Sequence, residues 1–380
     1  MDGAAQGFVD GVRKCFADLV DPRCPKSCQH SLFDLVAMAI LGVASGADSW
    51  CDLEIFASRR LEWLKTFLEL PGGAPSHDTF RRVFGLLDRD QFAEHLFHWT
   101  QALHEATGGK LIAIDGKTLR RSFARKSGLK ALHLVTAWAS DNRLTLGQVA
   151  CAEKSNEITA IPQLLKLLSL QGCTVTIDAM GCQTAIVEEI VEQKGHYVLA
   201  VKDNQPTLHA DLQALYDEAR ASGGAELRRS TEVTVETAHG RVTKRTYEAL
   251  EIPRDHPQRK KWRGLRTLAV ATCDVVKNGK ETRETRMFIS DLAPRAKPLG
   301  AAIRKHWSIE NAQHWVLDVA FNEDAARQQD RNGAANLGAV RRLVVSLLGQ
   351  EATLKRGAKG KRLACALDSN YLLKVFSAPK

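Results

Sequence analysis

The spacing of apolar residues along the chain changes character near residue 110. Before that point, apolar residues recur at helical spacing in segments such as SLFDLVAMAILGVASGA, LEIFASRRLEWLKTFLEL and DQFAEHLFHWTQALHEA. After it, short apolar runs such as LIAIDGK and CTVTIDAMG alternate with helical patterns such as ITAIPQLLKLLSL and TAIVEEIVEQKG. The pattern therefore predicts a helical N-terminal domain, followed by a mixed α/β sheet with helices on its faces.

Residues 223–292 interrupt that alternation of strands and helices. Polar and apolar residues alternate with a period of two on both sides of His239-Gly240 and of Asn278-Gly279, which predicts β-hairpins. The next segment, PLGAAIRKHWSIENAQHWVLDVAF, is predicted as one long amphipathic helix. The predicted regions are a helical domain (1–108), the first part of an α/β core (109–222), a β-rich insertion (223–292), the last part of the core (293–350), and a flexible basic tail (351–380).

The charge balance favours a polyanionic partner. The chain has 53 Lys and Arg against 44 Asp and Glu, a net charge of +9 at pH 7. The insertion is its most basic sizeable block, with 15 basic and 8 acidic residues between Arg228 and Arg286. A basic balance suits nucleic acid first and an anionic membrane second.

Other features bear on location and on metal content. The N-terminus has no basic stretch typical of a signal peptide, and the longest apolar run is too short to cross a bilayer. The nine cysteines are scattered, as is usual in a reducing cytosol, so we expect a cytoplasmic protein that does not enter membranes. Cys24, Cys28 and His30 are close in sequence, but no second ligand pair follows, which disfavours a zinc site.

Two predicted strands end in an aspartate that follows an isoleucine, at Ile114-Asp115 and Ile177-Asp178. An acid at the end of a buried strand is costly unless it is solvated or paired. Ligands gather at the carboxyl ends of strands in open α/β sheets, where two such acids would repel each other unless a divalent cation lay between them. Mg²⁺ prefers oxygen ligands, and two ions can support a phosphodiester displacement.

A third carboxylate is expected on the helix after the insertion. Glu310 lies between Trp307 and His314 at helical spacing and is the candidate. Asp318, Glu323 and Asp324 compete with it for this position. Each acid also has an ordinary explanation, since a strand-end Asp is often a turn former or helix cap and a helix-face Glu is often simply solvated.

Basic residues near these acids are candidates for contact with DNA phosphates. They are Lys117, Arg120, Arg121, Arg125 and Lys126, which follow Asp115 with no acid between residues 116 and 140, together with Lys202 and Asn204 after a strand end. The alternative for the first group is a solvated loop. Trp307 or Trp315 is a candidate for stacking on a base, although packing in the core is the preferred interpretation.

Four segments occur in order over nearly the whole chain: IAIDGKTLRRSF, VTIDAMGCQ, YVLAVKDNQ and HWSIENAQHWVLDVAFNEDAARQ. They resemble segments of DDE transposases of the H-repeat-associated, or ISAs-type, family. The resemblance implies an RNase H-like fold in which Asp115, Asp178 and Glu310 are the first, second and third acids. In the wider superfamily an Arg and a Lys flank the third acid, but here His306 and Leu317 stand in those places. Arg304 and Lys305 lie nearby and are further candidates for contact with DNA.

The resemblance also implies a function and partners. The chain is expected to cut and join DNA with Mg²⁺, or Mn²⁺ as a substitute, at the terminal repeats of an insertion sequence and in target DNA. Synapsis of two ends predicts a homodimer during the reaction. The alternatives are a catalytically silent DNA-binding protein derived from a transposase, and an RNase H-like nuclease that cuts without joining.

Overall fold

Helices follow one another through the N-terminal part of the chain, as the apolar spacing predicts. The structure is a computed structural model, and it describes residues 3–123, 128–152, 156–221, 228–238 and 240–376. Side-chain oxygens of Ser31, Ser49, Ser76 and Asp88 accept backbone hydrogen bonds and so cap four of these helices. The helices are α1 (Gly3–Phe16), α2 (Leu32–Ala44), α3 (Trp50–Arg59), α4 (Leu61–Leu64), α5 (His77–Leu86) and α6 (Arg89–Thr107).

Strands and helices alternate between residues 111 and 221, which confirms the predicted mixed α/β arrangement. The antiparallel pair β2 and β3 comes before this alternation and turns at residues 140–143. The elements are β1 (Leu111–Leu119), β2 (Leu132–Ala139), β3 (Leu144–Ala150), α7 (Glu157–Lys166), β4 (Thr174–Ile177), α8 (Thr184–Glu192), β5 (His196–Val201) and α9 (Pro206–Ala221).

Residues 229–290 form antiparallel hairpins, as their alternating pattern predicts. Asn278 and Gly279 both have positive φ angles, 51° and 74°, as a two-residue hairpin turn requires. The other predicted turn includes His239, which lies outside the described residues. The elements are β6 (Arg229–Ala238), β7 (Arg241–Glu251), the short helix α10 (Gln258–Lys261), β8 (Thr267–Lys277) and β9 (Lys280–Ser290).

The last part of the chain is helical but departs from the prediction of one long helix. The regular helix ends at His306, a turn follows at Trp307, and residues Glu310–His314 form a π-helical segment before regular geometry resumes. The elements are α11 (Ala296–His306), α12 (Trp315–Phe321), α13 (Arg331–Gln350), α14 (Ala358–Leu367) and α15 (Ser369–Phe376).

The predicted flexible basic tail is wrong, because most of residues 351–376 are folded. Arg362 on α14 is buried and donates hydrogen bonds to the carbonyl oxygens of Val43 and Ala47, and it forms an ion pair with Asp48 at 2.8 Å. Lys361 is buried as well and donates to the carbonyl oxygen of Leu348 at 2.7 Å. A charged residue in a buried place needs such partners, and a sequence pattern does not reveal them.

The residues group by their contacts into two compact units. The first comprises Met1–Gly109, Gly116–Ser155 and Ile309–Lys380, and its strands are ordered β3-β2-β1. Helix α13 is buried on nearly all sides there, packed in one apolar core with the N-terminal helices and with α12. The end of β1 packs with β2, β3 and the start of α13 in a smaller apolar cluster.

The second unit comprises Lys110–Asp115 and Asn156–Ser308. Its strands are ordered β1-β4-β5-β9-β8-β7-β6, with β1, β4 and β5 parallel and the hairpin strands antiparallel. Helix α11 lies on this sheet, where Leu299 and Ile303 join Tyr247, Phe288 and Val198 in one apolar cluster. The insertion therefore extends the sheet beyond β5.

Among the described residues, no helix combines the length and the apolar character needed to cross a membrane.

Helix α11 approaches β7 so closely that Gly300 is required at the contact. A Cβ atom at this position would lie 2.6 Å from Cγ of Tyr247. We expect Gly300→Ala to lower the free energy of unfolding by about 1–3 kcal/mol through overpacking, as measured by urea denaturation. Gly349→Ala is the control, because its Cβ would meet nothing closer than 3.9 Å. Equal stability of the two variants would contradict the close contact.

Candidate active site

Asp115 and Asp178 follow the last matched residues of two neighbouring parallel strands. The register of β1 and β4 ends with the pair Ile114 and Ile177, and each aspartate is the next residue. Neighbouring strands lie about 4.8 Å apart, and residues at the same level project to the same face of the sheet. The structure therefore brings the two predicted acids to one edge of the parallel ladder, as expected from the sequence.

The two strands continue differently beyond this level. Strand β4 ends at Ile177, as predicted, but β1 runs on to Leu119, so the prediction that its strand ends at Asp115 is wrong. Asp115 is half-buried within a continuous strand, whereas Asp178 begins a turn. Because side chains alternate along a strand, Asp115 and Lys117 project to the same face of β1.

Asp178 caps the turn that follows it with one of its carboxylate oxygens. Its Oδ1 accepts hydrogen bonds from the backbone N–H groups of Met180 at 3.0 Å and Gly181 at 3.3 Å. Asn204 supports the same turn by donating from Nδ2 to the carbonyl oxygen of Ala179 at 2.6 Å. The capping role considered for a strand-end Asp is thus present for Oδ1, and it fixes the orientation of the carboxylate.

The surroundings of Asp178 disfavour its charged form. Burial raises the pKa of this carboxyl above its usual range, and the nearby negative charge of Glu157 raises it further. The backbone hydrogen bonds and the positive charge of Lys202 act in the opposite direction but do not cancel the effect. A carboxylate in this condition gains from any cation that approaches it.

Glu310 begins the π-helical segment that interrupts the C-terminal helical stretch. Its side chain is exposed, and its Oε2 lies 3.7 Å from Nδ1 of the buried His314. Gln313 in the same segment is buried and donates from Nε2 to Oγ1 of Thr145 on β3 at 2.6 Å. π-Helical turns are rare and occur often at functional sites. Within this segment Glu310 is exposed, while Gln313 and His314 are buried.

The acids that compete with Glu310 form ion pairs with basic side chains of the protein. Nζ of Lys117 lies 2.7 Å from Asp318, 3.0 Å from Asp324 and 3.9 Å from Glu323. Glu323 also forms a fully buried ion pair with Arg342 at 2.8 Å, and Arg120 lies 3.1 Å from Asp324. These three carboxylates therefore lie in ion pairs with basic side chains of the same compact unit.

The residues predicted to contact DNA differ in their accessibility. Lys117 is buried among acids rather than open to solvent, so the prediction of a phosphate contact for it needs correction. Arg125 and Lys126 lie outside the described residues. The side chain of Arg304 is paired with Glu236 at 2.9 Å and remains half-exposed. The other predicted residues are exposed: Arg120, Arg121, Lys202, Asn204 and Lys305.

Both tryptophans near Glu310 are exposed, so the preferred interpretation of core packing is wrong for them. Trp307 is 47% exposed and Trp315 is 61% exposed. The guanidinium carbon of Arg286 lies 4.8 Å from the centroid of the Trp307 ring. That ring also borders a cavity of about 260 Å³ lined by Arg245, Arg286 and Arg304. The turn at Trp307 takes its side chain off the core-facing stripe that a regular helix would have given.

The family described as "Transposase DDE domain" matches residues 106–347, and the one described as "DDE_Tnp_1-associated" matches residues 13–100. The chain belongs to the DDE transposase family. It is 38% identical to "Putative transposase YncI" of Escherichia coli O157:H7, over 94% of this chain and 92% of that protein. It is 34% identical to "H repeat-associated putative transposase YhhI" of Escherichia coli K12, over 92% and 93%. These findings confirm the resemblance seen in the sequence.

Membership of the DDE transposase family carries an RNase H-like fold, which confirms the predicted fold class, and implies use of a divalent metal and binding of DNA. The residues described above fit a hard divalent cation. Their donors are carboxylate oxygens, and Asp178 is half-buried with its Oδ1 already fixed by backbone hydrogen bonds. A cation there would favour the charged form of Asp178, whose pKa is raised by burial first and by the negative charge of Glu157 second.

Sequence reasoning missed several side-chain contacts of residues that lie close to Asp178 in the chain. On β4, Oγ1 of Thr176 lies 3.0 Å from Nδ1 of His306, the residue that stands where the superfamily has Arg. Gln205 donates to the carbonyl oxygen of Cys182 at 2.8 Å and, with Asn204, fixes the turn after Asp178. The sequence offered one indication that these residues contribute to the site, which is that they lie close to a predicted strand end or to a predicted acid.

The raised pKa of Asp178 predicts that Asp178→Asn stabilises the metal-free transposase at neutral pH. An unfolded Asp has a pKa of about 3.9. Below that pH both states are protonated, so the variant has no advantage there. The advantage should grow as pH rises from this value through the raised pKa of the folded state, and stay constant above it. Asn can still accept the hydrogen bonds from Met180 and Gly181.

The measurement is the melting temperature in EDTA at a series of pH values. We expect Asp178→Asn to melt a few degrees higher than the parent at neutral pH and equally near pH 4. The exposed Asp255 offers a control, and Asp255→Asn should follow the parent throughout. A lower melting temperature for Asp178→Asn at neutral pH would show that its charge is not disfavoured.

Proposed function

We propose that this transposase cleaves DNA at the ends of an insertion sequence and joins those ends to target DNA, using Mg²⁺ held by Asp115, Asp178 and Glu310. The observation that carries the proposal is the placement of Asp115 and Asp178 directly after the last in-register pair of β1 and β4. Two carboxylates at one edge of a parallel ladder repel each other unless a cation joins them. Mn²⁺ is expected to substitute for Mg²⁺.

The assignment of Glu310 as third acid rests on its exposure at the start of the π-helical segment and on the resemblance of HWSIENAQHWVLDVAF to the family's segment for that acid. Asp318, Glu323 and Asp324 lie nearby in sequence in ion pairs with Lys117, Arg120 and Arg342. Chain continuity supports the same choice. Lys117 lies two residues after Asp115 on one strand, and its partner Asp318 lies two helical turns after Glu310. The pair Lys117–Asp318 thus couples the segments that carry the first and third acids.

The chain's own residues orient the reacting groups. A divalent cation at this place supplies Lewis-acid chemistry for attack on phosphorus and for departure of the leaving oxygen. The backbone N–H groups of Met180 and Gly181 donate to Oδ1 of Asp178 and so orient the carboxylate that would hold the cation. Exposed basic residues hold the DNA backbone: Arg120, Arg121, Lys202, Arg304 and Lys305. Asn204 is assigned to support of the turn rather than to DNA.

Asp178→Asn is the direct test of the catalytic assignment. We expect it to reduce cleavage by roughly 10³-fold, because several kcal/mol of transition-state stabilisation would be lost. Affinity for DNA should stay within about a factor of two, because exposed basic residues carry it. The assay uses labelled duplexes from the DNA that borders the coding sequence, with Mg²⁺, and scores nicks and joined products separately.

Asp255→Asn serves as the control and should cut and join like the parent. Normal cutting by Asp178→Asn would remove Asp178 from the site. Cutting by the parent without any joined product would identify a nuclease, and binding without either product would identify a silent DNA-binding protein.

Trp307 and Arg121 are expected to contribute to DNA binding in physically different ways. Loss of a base stacked on Trp307 should weaken binding by about 1–3 kcal/mol, whereas Arg121→Ala removes one phosphate contact. Trp307→Ala should therefore raise Kd without changing the slope of log Kd against log salt, and Arg121→Ala should reduce that slope by about 1. An unchanged Kd for Trp307→Ala, at every salt concentration, would exclude the stacking contact.

A further inference from the structure

Lys117 is an unusual lysine because its ammonium group is buried among acids. Its side chain is 9% exposed, and Nζ lies 2.7 Å from Oδ1 of Asp318 and 3.0 Å from Oδ1 of Asp324. Oε2 of Glu323 lies 3.9 Å away. A lysine is almost never buried unless it is paired, so this cluster is a specific arrangement rather than a solvated surface. We call Lys117, Asp318, Glu323 and Asp324 the lysine cluster.

Charges within and around the lysine cluster balance. Lys117, Arg120 and Arg342 face the carboxylates of Asp318, Glu323 and Asp324. The Glu323–Arg342 pair is completely buried and anchors the cluster to α13. Removing Lys117 alone would leave acids close together with too little positive charge, which is the condition under which carboxylates bind a divalent cation.

The lysine cluster includes residues from the two segments that carry the proposed metal ligands Asp115 and Glu310. Lys117 shares one face of β1 with Asp115, about 6.6 Å along the strand. Asp318 belongs to α12, which continues directly from the π-helical segment that begins at Glu310. The Lys117–Asp318 ion pair therefore joins a residue two positions after Asp115 in the chain to the helix that follows Glu310.

We propose that Lys117 is a positioning residue whose ammonium group takes the place of a metal ion in the lysine cluster. It thereby fixes the position of the helical segment that carries Glu310. It also keeps Asp318 and Asp324 from binding the divalent cation. The proposal rests on the proposed function, in which Glu310 is the third acid. It assigns Lys117 no contact with DNA or with the reacting atoms. It also explains why the strand beyond Asp115 carries a lysine that solvent hardly reaches.

Lys117→Met tests this idea, because methionine preserves most of the side-chain volume without the charge. We expect the variant to bind additional Mn²⁺ at the acids of the lysine cluster, as counted by the loss of the free Mn²⁺ signal in electron paramagnetic resonance without DNA. The Mg²⁺ concentration for half-maximal cleavage should rise by about 10–100-fold, as for loss of a residue that orients metal ligands.

Lys361→Met is the matched control. Lys361 is also buried, and its ammonium group also faces backbone carbonyls and a carboxylate, that of Glu351 at 3.8 Å. This variant should melt at a lower temperature than the parent but bind the same number of Mn²⁺ ions and keep the same Mg²⁺ dependence. The comparison separates the role of Lys117 from the general cost of removing a buried lysine.

A triple variant, Lys117→Met with Asp318→Asn and Asp324→Asn, keeps the proposal testable if Lys117→Met does not fold. Removing the acids together with the lysine leaves little uncompensated buried charge, so this variant is expected to fold. It should bind no additional Mn²⁺ and still require the higher Mg²⁺ concentration. A parent-like Mg²⁺ dependence in the triple variant would overturn the positioning role.

The outcomes also distinguish this inference from the proposed function. If the parent binds no Mn²⁺ and does not cut DNA, the proposed function fails, whatever Lys117→Met does. If the parent binds Mn²⁺ and cuts DNA while Lys117→Met has parent-like Mn²⁺ stoichiometry and Mg²⁺ dependence, the inference about Lys117 fails and the proposed function stands.

Discussion

Carboxylates that gather at one place repel each other, and the acid-rich part of this chain is organised around the cations that relieve this repulsion. Asp318, Glu323 and Asp324 receive their positive charge from Lys117, Arg120 and Arg342. Asp115 and Asp178 meet at the end of a parallel ladder, where burial and Glu157 raise the pKa of Asp178. The first group is neutralised from within the chain, and the second is the one for which a divalent cation is proposed.

An ammonium group and a divalent cation differ in the ligands that they can bind within such a cluster. Lysine supplies one positive charge and three hydrogen-bond donors, and the ammonium group of Lys117 is directed to the carboxylates of Asp318 and Asp324. A divalent cation accepts further oxygen ligands and keeps exchangeable waters, so it can add a DNA phosphate to its shell. A buried lysine therefore suits the acids that stabilise the fold, and a metal suits the acids that must meet DNA.

The local patterns of the sequence predicted the features that depend on near neighbours. The run before Asp178 predicted a buried strand, and Asn278-Gly279 predicted a hairpin, because both depend on adjacent residues. Basic residues were misjudged where their partners are distant in sequence. Lys117 and Asp318 are 201 residues apart, and Arg362 and Asp48 are 314 apart, so counting charge along the chain placed both cations in solvent. Tertiary contacts decide these cases.

The π-helical segment shows why helical spacing alone was insufficient near the third acid. In a regular helix, Trp307, Glu310 and His314 would share one face. The turn at Trp307 and the extra residue in the π-helical turn change the phase of the helix, so Trp307 and Glu310 are exposed while His314 is buried. Gln313, tied to Thr145 of β3, holds that phase in place. The irregularity therefore leaves Glu310 and Trp307 exposed in a helical stretch whose Gln313 and His314 are buried.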